Sequence, residues 1–196
     1  MSRVIDRGAI TAAYVGIGMA VTIGVSFLLV IPIEPVYWLL ALPAGMLIGY
    51  YANQRSDRLA GPWSRILANA AFAGLVTALT LAALLLAVKA LFFYADSGYP
   101  DFNRRDEAGA SIAPFCDPGP GCVYARYLAA GRGPDFSAVG VTDVAGFTGY
   151  YWSQQFVTAG TLVVLTFAGG LIGGLGYGLT RPKTPSRESP QENARA

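Results

Sequence analysis

Hydrophobic positions in this chain collect into four long runs, with the polar residues pushed into the segments between them. Gly8 to Ile33 is uncharged between Arg7 and Glu34, and Val36 to Ala52 follows almost at once. Ile66 to Tyr94 is broken by a single charge, Lys89, and Phe156 to Thr180 carries none. A spanning helix needs about 20 apolar residues, at about 1.5 Å each, to cross roughly 30 Å of hydrocarbon. Three of the runs exceed that length, and the second, at 17 residues, reaches about 25 Å. The pattern predicts an all-α integral membrane protein, a four-transmembrane-helix bundle. Helices 1–3 fall within residues 1–94 (near 8–33, 36–52 and 66–94), and helix 4 covers 153–180. A largely irregular extracytoplasmic loop, 95–152, joins helices 3 and 4, and residues 181–196 form a disordered tail. A cleaved leader is the other reading of the first run, but its apolar stretch is about twice an ordinary leader core and a second run follows directly.

Proline punctuates the first two runs. Pro32 and Pro35 end one helix and admit the next, since proline is tolerated in a first helical turn, so these helices are expected to form a tight antiparallel hairpin. Pro43, inside the second run, removes a backbone hydrogen bond and is expected to kink it.

Charge orients the bundle. Nine of the fourteen basic residues lie before the first run (Arg3, Arg7), between the second and third (Arg55, Arg58, Arg65) and after the fourth (Arg181, Lys183, Arg187, Arg195). The opposite side carries Arg104, Arg105, Arg126 and Arg132 against eight acids. An excess of Lys and Arg marks the cytoplasmic side, so both termini are expected there. Tyr37, Trp38, Phe92 to Tyr94 and Tyr150 to Trp152 mark the outer boundary, and Tyr50, Tyr51 and Trp63 the inner one, because amphipathic rings settle among headgroups. The basic start of the tail can rest on anionic lipid. Rich Ala, Gly and Arg usage has the flavour of a high-GC bacterium and points to a bacterial inner membrane.

Composition narrows the chemistry. Of 196 residues 54% are hydrophobic and 13% charged, about half the charge of a soluble domain, and the mean hydropathy is +0.44. The net charge of +2 is scattered, so nucleic acid is not an expected partner. Histidine is absent and there are two cysteines, which excludes histidine relays, histidine-ligated haem, iron–sulfur clusters and structural zinc. No catalytic, metal or cofactor residues are expected.

Within the outer loop stands Cys116-Asp117-Pro118-Gly119-Pro120-Gly121-Cys122. The alternating Pro and Gly make a tight turn, and outside the cytoplasm the two thiols are expected to form a disulfide rather than stay free or redox-active. Val123 to Ala130 can form a short helix with Tyr124, Tyr127 and Leu128 on one face, directed at the membrane surface or over the bundle. A loop of this length is either a binding surface or a lid.

Small residues recur every fourth position in each run. Gly169 and Gly173, Gly170 and Gly174, and Gly174 and Gly178 do so in the fourth; Ala12, Gly16, Ala20 and Gly24 in the first; Gly45 and Gly49 in the second; and Ala70, Gly74, Ala78 and Ala82 in the third. That spacing puts them on one helix face and admits close backbone approach. Packing inside one bundle is the first explanation, docking on another subunit the second, and a glycine-lined pore the third. Gly173 to Gly178 is no dinucleotide fingerprint, because it lies inside an apolar span and not at a strand-to-helix turn. Lys89, about 7 Å from the outer boundary at Tyr94, either snorkels to the headgroups or makes an ion-pair or lipid-phosphate contact.

Three function classes remain. The first is a non-catalytic accessory or scaffold subunit contacting the bilayer and other membrane proteins, or copies of itself. The second is a small oligomeric transporter or channel, for which Asn69, Thr77 and Thr80 are the polar candidates; the lack of a deep Asp, Glu, Arg or His argues against it. The third is a membrane enzyme using Asp101, Asp106 and Glu107, which no pattern organises into an acid–base pair.

Overall fold

The computed structural model describes residues 5–29, 34–56, 61–95 and 116–181, with backbone alone at 26–29 and 34–38. Among the described residues all regular structure is helical: α1 (Arg7–Leu29), α2 (Glu34–Gln54), α3 (Trp63–Ala95), α4 (Pro120–Ala129), α5 (Gly133–Ala138) and α6 (Val144–Thr180). Three helices, α1 over Arg7–Val25, α3 and α6, are long and apolar enough to cross a membrane. Pro43 stands inside α2, which continues through it. The expected link at Ile31 to Ile33, the acids Asp101, Asp106 and Glu107, and the tail beyond Arg181 lie outside the described residues.

Helix directions follow from which residues meet. Gly16 faces Thr77, and Gly24 approaches Leu84 (a Cβ on it would lie 3.7 Å away), so α1 and α3 run parallel. Gly45 meets Thr166 and Gly49 meets Gly170, so α2 and α6 also run parallel. Gly74 meets Gly170 and Gly174 meets Ala70, so α3 and α6 run antiparallel. Ala20, Ala41, Leu81 and Leu162 close the middle of the bundle, and Ala12, Ile48, Ala52 and Ala73 fill the next level. Asp6, Ser56, Asn69 and Arg181 consequently gather at one end, here the terminal end. The opposite end carries α4 and α5 and is here the cap end.

At the terminal end polar side chains join the elements. Asp6 caps α1 by accepting from the Ala9 amide at 3.1 Å. Its other carboxylate oxygen accepts from Asn69 Nδ2 at 2.9 Å and from the Ser56 hydroxyl. Asn53 is 1% exposed and donates to the carbonyls of Gly49 and Ile66, each at 3.0 Å. A buried amide is tolerated because its donors are satisfied. Arg181 donates to the Gly61 carbonyl and lies 5.5 Å over the Trp63 ring, tying the end of α6 to the start of α3.

The loop differs from the irregular segment expected of it. Of its described part, 116–152, most is helical, and α6 begins at Val144 rather than near residue 153. Asp143 caps that start, accepting from the Gly146 amide at 2.7 Å. Phe147, Tyr151, Gln155, Ala159, Leu162 and Thr166 then form one continuous buried stripe, while Gly149, Ser153 and Gln154 on the other side are exposed. Polar residues on that outer face hide the periodicity from a search for uninterrupted hydrophobic runs. The 37 residues of α6 extend about 55 Å, well beyond a hydrocarbon core of about 30 Å.

Candidate functional site

The cap is assembled from aromatic side chains supplied by four helices. Phe93 ends α3 and stacks on Tyr151 of α6, centroids 4.3 Å apart. Phe147, one turn earlier on α6, meets Phe93 at 6.2 Å, Tyr124 at 5.1 Å, Tyr127 at 5.6 Å and Phe136 at 5.3 Å. Phe93, Val123, Phe136, Val141, Phe147 and Tyr151 are buried together. Offset and edge-on ring pairs at these separations each contribute about 0.5–1.5 kcal/mol beyond burial. On the outside, Trp152 Nε1 donates to the Tyr94 hydroxyl at 3.1 Å, joining α3 to α6.

Two matching turns fold the chain back over this cluster. After α4, Gly131 adopts φ 80° and Gly140 does so after α5 at φ 77°. In the first turn the Arg132 amide donates to the Tyr127 carbonyl and the Gly131 amide to Leu128; in the second Val141 donates to Phe136 and Gly140 to Ser137. This is a helix stop in which a left-handed residue closes the end and the following residue packs back. Val141 and Phe136, which bracket the second turn, are both in the buried cluster. The short helix α4 presents its residues differently from the expected face: Cys122, Val123 and Arg126 are buried, Tyr124 and Tyr127 lean on Phe136 and Phe147, and Leu128 is 42% exposed. Docking of α5 through Phe136 draws the two tyrosines away from Leu128.

Cys116 and Cys122 are bridged, with Cα atoms 5.3 Å apart, inside the range a disulfide accepts. The closed loop is short, so in the chain-entropy model it stabilises by about 2 kcal/mol. Gentle reduction is expected to loosen the start of α4 and leave helical circular dichroism almost unchanged. A large loss of helix on reduction would show that the bridge supports the whole bundle.

Arg126 is the charged group the cap buries. It is 8% exposed, and its Nε, shielded from solvent, has no hydrogen-bond partner among the described residues. Gln155, 9% exposed, lies one turn along α6 from Tyr151, and Lys89, half-buried, one turn before Phe93 on α3. Because Phe93 stacks on Tyr151 and the two helices are antiparallel, Lys89 and Gln155 stand level with each other. The sequence counts Arg126 only among the basic residues of the outer side; Cys122, Val123 and Arg126 at i, i+1 and i+4 are the signal for its burial.

The glycines singled out by spacing stand where helices approach. A Cβ on Gly45 would collide with the Thr166 carbonyl oxygen, on Gly49 with that of Gly170, on Gly169 with that of Leu42 and on Gly173 with that of Met46. Those four contacts alternate between α2 and α6. Gly74 and Gly170 face each other across α3 and α6, a Cβ on Gly170 lying 3.1 Å from the Gly74 Cα; Gly174 abuts Ala70 and Gly178 the Trp63 ring. Gly16 abuts the Thr77 hydroxyl. Thr77 and Thr80 donate to their own helix, at 2.9 Å to Ala73 and 2.8 Å to Val76, and Asn69 belongs to the Asp6 cluster. Asn53 was missed, although it continues the Gly45, Gly49 face by one more turn. No group of three or more potential metal ligands occurs among the described residues.

Comparison with protein-family models, with characterised proteins and with solved structures finds no match to this chain.

Proposed function

We propose that the chain is a non-catalytic scaffold of a bacterial inner membrane, crossing it four times with both termini in the cytoplasm and holding its cap outside for other membrane proteins. One observation carries this reading: α6 is gripped backbone to backbone by α2 and α3 through Gly45, Gly49, Gly74, Gly169, Gly170 and Gly173, and the same uninterrupted helix continues as the post on which the cap is built. A helix fixed at mid-bundle holds the cap at a set height and rotation, which suits presentation of a surface. Packing this close also favours a static bundle over one whose helices part to pass a solute. Apolar side chains on the cap, Leu128, Val139 and Val144, are 42%, 54% and 41% exposed and offer contact area to a partner.

The test is purification from native membranes in a mild detergent after photocrosslinking from position 139 on the cap and, separately, from position 79, an exposed leucine of α3. A stoichiometric protein partner crosslinked from 139 and not from 79 is the expected result. A monodisperse chain without partner, together with solute flux in reconstituted liposomes, would replace the scaffold by the transport reading.

A further inference from the structure

We propose that Arg126 is the cation of a phosphate site at the cap end, and that the phosphate is the headgroup of an anionic phospholipid. The first support is energetic. A guanidinium with five donors, 8% exposed on the helix face that packs Val123 into an aromatic cluster, loses most of its hydration. Without a partner such burial is costly, and Nε has none among the described residues. An anion that accepts from the guanidinium fork removes that cost, and a phosphate matches the fork in geometry and charge.

The second support is the polar chemistry at the same end of the two helices on which α4 rests. Gln155 brings an amide nearly as buried as Arg126, 9% exposed, from the face of α6 that carries Phe147 and Tyr151. Lys89 stands level with Gln155 on α3 and adds a second positive charge to the same end of the bundle. Two helices thus contribute polar side chains one turn below the stacked Phe93 and Tyr151, at the end of the bundle that carries Arg126. The third support is depth. The exposed Trp152–Tyr94 pair joins α3 and α6 at this level, and such rings favour the headgroup region. A lipid phosphate there meets Arg126 without leaving the membrane surface, whereas a free phosphate would have to come from water.

The experiment uses the full oxidised chain in a mild detergent, with bound lipid counted by native mass spectrometry and thermal unfolding followed by circular dichroism. Phosphatidylglycerol is added in one arm, phosphatidylcholine in a second and inorganic phosphate in a third. The expected result is retained phosphatidylglycerol and a rise in Tm of roughly 5 °C for the wild type, absent in R126Q and partly kept in R126K. R126K carries the charge without the fork, so it keeps the test decisive if R126Q folds poorly. An equal rise with inorganic phosphate alone would overturn the lipid and leave free phosphate as the ligand. Equal responses of wild type and R126Q, or no response of the wild type to any arm, would overturn the site itself.

Discussion

Gly49→Ala lowers the melting temperature of the bundle, and Gly160→Ala raises it. The two substitutions add the same methyl to helices of similar composition, so helix propensity favours both by about 0.5–1 kcal/mol. They differ in what the methyl meets. At Gly160 there is nothing within 4 Å, and the propensity gain stands alone. At Gly49 the new carbon would fall against the Gly170 carbonyl, with the Gly170 Cα 2.8 Å away. That neighbour is backbone and cannot rotate aside, so α2 must withdraw from α6. Withdrawal stretches the three matching contacts at Gly45, Gly169 and Gly173. Glycine Cα–H groups facing carbonyl oxygens contribute about 0.5–1 kcal/mol each, and overpacking a tight site costs about 1–3 kcal/mol. Allowing for the propensity gain, a fall of roughly 5 °C is expected for Gly49→Ala and a rise of roughly 2 °C for Gly160→Ala, read by circular dichroism in one detergent. Gly173→Ala should match Gly49→Ala, and the double variant should cost less than their sum, because one separation of the helices relieves both collisions. Additive losses, or equal behaviour at positions 49 and 160, would show that α2 and α6 do not meet backbone to backbone.

The glycine contacts also show how far the sequence could be read. Spacing by four identifies a face of each helix, and Gly45, Gly49, Gly169, Gly170 and Gly173 all stand on such faces. Spacing carries no information about which face meets which. Gly170 serves both α2 and α3, and the meeting of the Gly45 and Gly49 face of α2 with the Gly169 and Gly173 face of α6 emerges only when the helices are assembled. Helix faces were legible for a physical reason: small residues at a fixed period in an apolar helix mark a side that another backbone can approach closely. The cap was less legible because its signals are short. Asp143 with Gly146 is a cap without the acidic third residue of a capping box, and the two helix stops need only one glycine each, at 131 and 140. Hydrophobic positions there, Val123, Phe136, Val141, Phe147 and Tyr151, are separated by Gly, Ser and charged residues, so density of apolar residues marks the region as loop while their arrangement in space makes a core. Arg126 was read by its charge, and burial of an arginine depends on contacts between helices that composition does not record.

Phe147→Ala is expected to release the cap from the bundle without unfolding the membrane helices. Phe147 touches Phe93, Tyr124, Tyr127, Phe136 and Tyr151, so it meets rings of α3, α4 and α5 at once and is the main link from α6 to the short helices. Removing a buried phenyl of this kind costs about 3–5 kcal/mol. The short helices are weak on their own: α5 is six residues long, below the length at which an isolated helix persists in water, and its ion pair, Arg132 with Asp135, is exposed and weak. The membrane helices, by contrast, keep their glycine contacts, which start at Thr166, about five turns away along α6. Hydrogen exchange followed by mass spectrometry separates the two. Amides of 120–141 should lose most of their protection in Phe147→Ala, while those of 66–90 and 160–178 stay within experimental scatter of the wild type. Phe147→Leu, which keeps apolar volume but not ring contacts, should fall between. Equal loss in both regions would mean that cap and bundle unfold as one unit, and the scaffold reading would then lose the independent, bundle-mounted surface on which it depends. Unchanged protection over 120–141 would instead place the hub elsewhere in the cluster, with Phe93 and Phe136 the next to be replaced.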